Sequence, residues 1–153
     1  MAMTGTDGSC LLVRAIARED AVAVAELCGQ LGYEVSVAAV EMQIGRLAGC
    51  AESQVAWVAC MGAEVVGWIE AAMTCHLQSA PHVLITGLVV RDGARSMGVG
   101  KSLCAEIEDW SRAKGVRVVR VTSRMSRDGA HRFYLREGYE RVKTSAVFEK
   151  ILL

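Results

Sequence analysis

The residues from Arg95 to Lys101 combine two glycines with two basic side chains, between a strand-like run and a helix-like run. Glycines allow a backbone to approach an anion closely, because no Cβ stands in the way. The first turn of a helix adds free N–H groups and the positive end of the helix dipole. Arg95 and Lys101 supply further positive charge. This combination predicts a binding site for a pyrophosphate.

Two common nucleotide-binding motifs do not fit this segment. The Gly-Lys-Ser sequence at 100–102 is similar to the end of a Walker loop, but that loop requires glycine where this chain has Arg95. The dinucleotide pattern G-x-G-x-x-G begins at Gly98 and fails at Leu103, where the third glycine would stand. A P-loop nucleotide-binding protein is therefore disfavoured, and the pattern that remains is R-x-x-G-x-G after a strand.

Hydrophobic periodicity predicts the elements that position this loop. Strands are predicted over 10–17, 55–61, 65–73, 82–90, 116–122 and 146–152, and helices over 20–30, 36–49, 101–114 and 129–136. The second and third strands are close enough to form a hairpin, and later strands alternate with helices. The predicted fold class is α/β (α+β), a single domain with a mixed sheet covered by helices.

Two segments together identify a resemblance. R-x-x-G-x-G after Leu88-Val89-Val90, followed by A-x-x-F-Y-x-x-x-G-Y at 130–139, resembles the GNAT superfamily of N-acetyltransferases. The resemblance implies a mostly antiparallel sheet, flanked by helices and splayed at its centre between the strands 83–90 and 116–122. It implies an N-acetyltransferase domain over 10–153, and we expect residues 1–9 to be a flexible N-terminal segment.

The resemblance also implies that acetyl-CoA is the acyl donor. Backbone groups of Leu88 and Val90 would pair with the pantetheine amides like an added half strand. Amides of the segment 95–101, called the glycine loop below, would hold the pyrophosphate. Ser123 would lie near the pantetheine arm, although a capped turn explains that serine equally well. The implied cofactor-binding residues are Leu88, Val89, Val90, Arg95, Ser96, Met97, Gly98, Val99, Gly100, Lys101 and Ser123.

Family pattern places Tyr134 near the thioester sulfur, where its phenol would protonate the leaving CoA thiolate. The alternative is that Tyr134 is a core aromatic. A general base is also needed, because an ammonium has no lone pair. Where some relatives carry a glutamate before Leu-Val-Val, this chain has Ile-Thr-Gly at 85–87. The candidate bases are Glu70, which alternation alone could place on either sheet face, and Glu34. Tyr33 and Glu34 are predicted to form a wall of the acceptor pocket.

The predicted function is transfer of an acetyl group from acetyl-CoA to a primary amine, by direct attack in a ternary complex. The alternative is a non-catalytic acyl-CoA-binding sensor or partner module. The acceptor, a small molecule or a peptide amine, is left open because acceptor pockets are built from loops. Relatives are often homodimers, so a homodimer that pairs through the apolar segment 146–152 is a further expectation.

Composition excludes several other classes. Apolar residues make up 52% of the chain, there is one proline, and six cysteines are scattered without metal-ligand spacing, so we expect a folded domain without metal. Net charge is zero, with 3 basic and 9 acidic residues up to Val90 and 14 basic and 8 acidic residues after it. This asymmetry favours a compact polyanion over a nucleic acid. The absence of a targeting or membrane-spanning segment predicts a cytoplasmic location.

Overall fold

The structure, a computed structural model, describes residues 10–153, so the predicted flexible segment 1–9 lies outside the described residues. The chain forms two compact units, one ending at Thr122 and the other running from Ser123 to Leu153. The first unit contains β1 (Leu11–Ala15), α1 (Ala21–Gln30), α2 (Val37–Ala48), β2 (Gln54–Met61), β3 (Glu64–His76), β4 (Ser79–Val90), α3 (Val99–Ala113) and β5 (Val119–Val121). The second unit contains α4 (Asp128–Arg136).

The first unit is built on a five-stranded sheet in the order β1-β2-β3-β4-β5. Neighbours from β1 to β4 pair antiparallel, and β4 pairs with β5 in parallel. A parallel pair requires a crossover connection, and α3 lies in the segment that joins β4 to β5. The prediction of a mixed, mostly antiparallel α/β sheet is confirmed.

Helices cover the two faces of this sheet. Val89 packs in a core cluster with residues of α1 and α2, and Trp68, its partner across the β3–β4 pair, packs against the same cluster. Val90 and its partner Gly67 belong to the opposite face, because side chains alternate along a strand. At Gly67 the neighbouring side chains come from α3. The sheet therefore separates α1 and α2 on one face from α3 on the other.

The two helices on the first face have clear local causes. Ser36 caps α2 as predicted, since its Oγ accepts a hydrogen bond from Ala39 N at 3.1 Å. The start of α1 is joined to β1 by Asp20, whose carboxylate accepts two 2.8 Å hydrogen bonds from Arg14 and a 2.7 Å bond from Ala17 N. These bonds hold α1 against the sheet.

In the second unit, α4 confirms the short helix predicted over 129–136. The predicted final strand over 146–152 is wrong for this structure, because residues 137–153 form neither helix nor strand. A strand requires a partner for its backbone hydrogen bonds, and residues 123–153 contain no other strand to provide one. Large apolar side chains of this segment are exposed, and Phe148 retains 93% of its accessible surface.

We find no helix in residues 10–153 that is long and apolar enough to cross a membrane.

Candidate functional site

The centre of the site is the point on β4 where its pairing with β5 ends. Their pairing covers Val83 to Ile85 on β4 and ends at the Ile85–Val121 pair, so the β5-facing edge of β4 is unpaired with β5 from Thr86 onward. On the other edge, Glu70 of β3 lies opposite Gly87 while Ala71 lies opposite Ile85. Thr86 is therefore an extra residue, a β-bulge, and bulges bend a strand and increase its twist. The bulge directly follows Ile85, the last residue of β4 that pairs with β5.

Beyond the bulge, the polar backbone groups of β4 divide between its two edges. Arg91 N donates to Val66 O at 2.7 Å, so Arg91 and, two residues before it, Val89 direct their polar groups toward β3. Leu88 and Val90 direct theirs toward the opposite edge, beyond the residues that pair with β5. An extended amide-bearing ligand could form hydrogen bonds there like an added strand. The backbone of Val89 is directed into the sheet instead.

The glycine-rich loop follows this edge and leads into α3. Ser96 and Gly98 have positive φ angles, 67° and 81°, with Met97 between them. Backbone turns that alternate in handedness form concave N–H sites for anions. The first helical bond of α3 runs from Ser102 N to Gly98 O at 3.0 Å, and Gly98 provides no side-chain cap. The N–H groups of 99–101 therefore have no partner within the helix, as an anion site requires.

The charges of the loop are only partly available. Arg95 forms a 2.9 Å ion pair with Asp92, and the two side chains are 58% and 70% exposed. An ion pair that exposed contributes little and is easily exchanged for another anion. Lys101, in the first turn of α3, is exposed. The loop can therefore present one cation directly and a second after Arg95 leaves Asp92.

The start of α3 packs closely against the sheet at Gly67, a residue outside the predicted site. A Cβ added at Gly67 would lie 2.9 Å from Val89 O, 3.0 Å from Val99 Cγ1 and 3.3 Å from Leu103 Cδ1. Val99 and Leu103 are fully buried, so the first turn of α3 packs directly on β3. A glycine inside an apolar strand pattern indicates such a close approach, and this signal was present in the sequence.

Gln30, the last residue of α1, also contacts the site and carried no sequence signal. Its Nε2 donates to Val90 O at 2.8 Å, and its Oε1 accepts from Asp92 N at 3.0 Å. The amide therefore satisfies one of the edge-facing backbone groups of β4 and binds the residue that begins the next turn. The Val90 carbonyl, one of the groups predicted to bond pantetheine, therefore already accepts a hydrogen bond from Gln30.

The structure settles the face on which Glu70 lies. Glu70 shares the α1 face with Trp68, because the two are separated by one residue on β3. Its cross-strand partner Gly87 has no side chain, and the Trp68 ring lies against that glycine. A Cβ added at Gly87 would lie only 2.5 Å from Trp68 Cη2. No hydrogen bond or ion pair reaches the Glu70 carboxylate from within residues 10–153.

The buried surroundings of Glu70 raise the pKa of its carboxyl group. Burial raises the pKa of the Glu70 carboxyl above its ordinary value of 4.5. Burial, followed by the nearby charge of Glu70, raises the pKa of the Cys28 thiol on α1. Glu70 therefore lies near the end of α1, where Tyr33 N bonds to Cys28 O at 3.1 Å and the loop with Tyr33 and Glu34 begins. Both of these predicted acceptor residues are exposed.

Tyr134 and Ser123 belong to the second unit. Tyr134 lies on α4, where its ring meets Phe133 at 5.3 Å and Tyr139 at 5.7 Å in edge-on contacts between centroids. These contacts agree with an aromatic cluster within that unit. The predicted roles of Tyr134 at the thioester and of Ser123 at the pantetheine arm stay predictions.

Comparisons with known proteins agree with this geometry. Two curated relatives match, an aminoalkylphosphonate N-acetyltransferase of Salmonella typhimurium (strain LT2) and the uncharacterized N-acetyltransferase YhdJ of Bacillus subtilis (strain 168). The first is 40% identical over 78 residues, 50% of this chain and 51% of the relative. The second is 38% identical over 58 residues, 38% of this chain and 41% of the relative. The chain thus spans about half the length of the curated relatives it matches.

Among solved structures, the aminoglycoside N-acetyltransferase AAC(6')-Iy in complex with CoA is similar, with a TM-score of 0.83 and 20% identity. The match covers 94% of this chain and 96% of that one, and at this identity it shows the shared fold. The sequence profile of the acetyltransferase (GNAT) family matches residues 40–139, which include β4, the glycine loop, α3 and α4. The matched segment exceeds half of the chain, and the chain therefore belongs to the acetyltransferase (GNAT) family.

Proposed function

We propose that this protein is an acyl-CoA-dependent N-acetyltransferase, which transfers an acetyl group from acetyl-CoA to a primary amine. The observation that carries this proposal is the end of the β4–β5 pairing at Ile85, which leaves residues 86–90 of β4 without β5 as a neighbour ahead of the glycine loop. An unpaired strand edge continues there into a helix N-terminus, and this matches a ligand with amides at one end and a pyrophosphate at the other. The match to a structure of an N-acetyltransferase with CoA supports the same assignment.

In the donor site, we assign the pantetheine arm to the edge formed by Leu88 and Val90. The Val90 carbonyl is bonded to Gln30, so Leu88 provides the larger share of this pairing. The pyrophosphate is assigned to the N–H groups of residues 95–101 and to the dipole of α3. Lys101 gives direct charge, and Arg95 exchanges Asp92 for the phosphates.

On the acceptor side, we assign Glu70 the role of general base. An ammonium must lose a proton before its nitrogen can attack, and a carboxyl whose pKa is raised is a better proton acceptor than an ordinary one. Glu70 takes this proton, directly or through water, and the amine nitrogen then forms a bond to the acetyl carbonyl carbon. The carbon–sulfur bond breaks, and Tyr134 is proposed, from the family resemblance, to give its proton to the departing sulfur. The second proton that the nitrogen loses as the amide forms then restores the Tyr134 phenol.

The acceptor is proposed to be a small cationic amine. Glu70 and Glu34 place negative charge near the end of α1, which attracts an ammonium group before it is deprotonated. The named relative acts, by its name, on aminoalkylphosphonates, and the similar structure is an aminoglycoside N-acetyltransferase. These two amine classes are the first acceptors to test.

The alternative, a non-catalytic acyl-CoA-binding module, rests on the absence of a glutamate at Ile85, Thr86 and Gly87, the segment where some relatives carry one. The register answers part of this argument, because Glu70 lies directly opposite Gly87 on the neighbouring strand. A carboxylate is thus present in the same region of the sheet. The alternative predicts acetyl-CoA binding without turnover of any amine.

We also propose that two copies associate through the C-terminal segment. This segment exposes several large apolar side chains, those of Val147, Phe148, Ile151 and Leu152. Exposed apolar clusters mark protein interfaces. Sedimentation of the wild type and of Phe148→Glu tests this assembly, and a wild-type monomer at micromolar concentration would contradict it. The cytoplasmic location and the absence of nucleic-acid, membrane and metal partners stay predictions.

The decisive experiment is calorimetric titration with acetyl-CoA, with ATP as the parallel control. We expect saturable acetyl-CoA binding and no ATP binding. Thiol release is then measured with 2-aminoethylphosphonate and with an aminoglycoside. Glu70→Gln should bind acetyl-CoA normally and lose turnover about 100-fold or more, as removal of a general base does. Glu34→Gln is the matched control on the exposed loop. Absence of acetyl-CoA binding by the wild type would disprove the proposed function.

A further inference from the structure

Gln30 forms a bridge between parts of the chain that are far apart in sequence. It is the last residue of α1, and its partners Val90 and Asp92 lie at the end of β4 and at the start of the turn that follows. The two hydrogen bonds, 2.8 Å and 3.0 Å, use the amide NH₂ as a donor and the amide oxygen as an acceptor. Both polar atoms of the side chain are therefore engaged on one short stretch of backbone.

This stretch lies beyond the last β4 residue that pairs with β5. The polar groups of Val90 point toward that edge of β4, where β5 provides the Val90 carbonyl with no partner. Gln30 supplies the missing donor, while Arg91 between the two contacts is bonded back to β3. Asp92 then opens the short 3-10 turn Asp92–Ala94 that leads into the glycine loop. The direction in which the chain leaves β4 thus depends on Gln30.

The same residue stands at the base of the loop on the acceptor side. The chain leaves α1 at Gln30 and continues through Gly32, whose φ is +87°, to Tyr33 and Glu34. The Gln30 side chain therefore joins the end of α1, which leads into the loop with Tyr33 and Glu34, to the turn that leads into the glycine loop. A hydrogen-bonded bridge of this kind fixes the relative position of the segments that must bring two substrates together.

Glutamine suits this position chemically. The bridge needs one donor and one acceptor in a single planar group, and a carboxamide offers both. Glutamate lacks the donor when ionised and would bring its oxygen against the Val90 carbonyl. Leucine has a similar size and lacks both functions. Gln30 therefore has substitutes of matched volume that separate hydrogen bonding from packing.

We propose that Gln30 is a positioning residue for acetyl-CoA, which holds the end of β4 and the start of the glycine loop in the arrangement that the donor requires. The inference rests on the proposed function. It adds a residue from α1, outside the glycine loop and the β4 edge, to the determinants of donor affinity. Gln30 acts through the backbone of Val90 and Asp92 and is not assigned a contact with the thioester.

The test compares Gln30→Leu and Gln30→Glu with the wild type and with Gln43→Leu, an exposed glutamine on α2. Calorimetry gives the acetyl-CoA dissociation constant, steady-state kinetics give the KM for acetyl-CoA and kcat, and thermal unfolding reports folding. We expect both Gln30 variants to bind acetyl-CoA about tenfold more weakly, as loss of a hydrogen-bonded bridge implies. KM for acetyl-CoA should rise more than kcat falls, with Gln43→Leu unchanged.

The outcomes separate the two proposals. If the wild type binds acetyl-CoA and both folded Gln30 variants bind it within twofold of the wild type, the positioning role is refuted and the proposed function stands. If the wild type does not bind acetyl-CoA, both are refuted. Should Gln30→Leu fail to unfold cooperatively, Gln30→Glu decides, because it keeps the acceptor for Asp92 N and removes the donor to Val90 O.

Discussion

Replacement of Gly67 by alanine tests the link between sheet packing and the donor site. The added Cβ would lie 2.9 Å from Val89 O and 3.0 Å from Val99 Cγ1, with Leu103 Cδ1 at 3.3 Å. Contacts under 3.0 Å require movement, and Val89 O is part of a paired strand that cannot easily retreat. The first turn of α3 must therefore shift away from β3, and the N–H groups of that turn shift with it.

The magnitude follows from the size of this clash. Adding one methyl group to a closely packed region costs about 1–3 kcal/mol when the backbone must adjust. In a chain of this length, such a loss lowers the unfolding temperature by about 3–9 °C. We also expect acetyl-CoA affinity to fall about fivefold, which equals about 1 kcal/mol, because the helix N-terminus no longer stands where the phosphates bind.

Thermal unfolding and calorimetry on the same preparations provide the assay. Gly45→Ala is the matched control, because Gly45 lies within α2 and a Cβ there meets nothing within 4 Å. Alanine at that position should stabilise the protein by about 0.5–1 kcal/mol through its higher helix propensity. If Gly67→Ala unfolds at the wild-type temperature and binds acetyl-CoA equally well, α3 is not held by the contact that the structure shows.

Four further substitutions test single side chains. Tyr134→Phe should lower turnover at least tenfold with acetyl-CoA affinity nearly intact, and wild-type turnover would return Tyr134 to a packing role. Because burial raises the folded pKa of Glu70 above 4.5, its ionisation weakens folding as pH rises past that value. Glu70→Gln should therefore unfold at a higher temperature than the wild type at pH 8 but not at pH 4, and an equal difference at both would contradict the assignment. Burial raises the pKa of Asp20, but hydrogen bonds from Arg14 and Ala17 and the Arg14 charge outweigh it, so the pKa is lowered. Its stabilising effect is present above the ordinary value of 3.8 and is lost as pH falls through the lower folded value. Arg14→Met should destabilise the protein by about 3 kcal/mol at pH 7. This is the low end for a broken buried ion pair, because the Arg14 side chain is 40% exposed while that of Asp20 is 5% exposed. Asp20→Asn should weaken the decrease of the unfolding free energy at acidic pH.

The parts of the site that depend on local sequence were predictable. The glycine loop combines backbone freedom, charge and a following helix within one short segment, and the structure gives Gly98 the positive φ that a glycine permits. The hairpin of β2 and β3 was predicted from two strand-like runs joined at turn distance. Such features depend on a few neighbouring residues, so one sequence contains the information that determines them.

The parts that depend on pairing register were not predictable. The face of Glu70 depends on its alignment with Gly87, and the role of Gln30 depends on where α1 ends relative to β4. Strict alternation along β4 would place Val83, Ile85 and Val89 on one face, yet the bulge at Thr86 separates Val89 from the other two. The segment 146–152 has the composition of a strand, but composition cannot supply the second strand that pairing requires.

The extra residue in β4 changes which positions of the strand, odd or even, place their side chains on a given face of the sheet. Before Thr86, the odd-numbered positions Val83 and Ile85 lie opposite Met73 and Ala71, while after it the even-numbered Leu88 lies opposite Ile69, which shares the face of Ala71. Deletion of Thr86 would leave Ile85 opposite Ala71 and Gly87 opposite Glu70, so the bend would be lost while both faces kept their residues. The bulge therefore separates the length of this strand from its pattern of faces: the strand tolerates loss of one residue at Thr86, whereas loss of one residue between Gly87 and Val90 would exchange inward and outward positions.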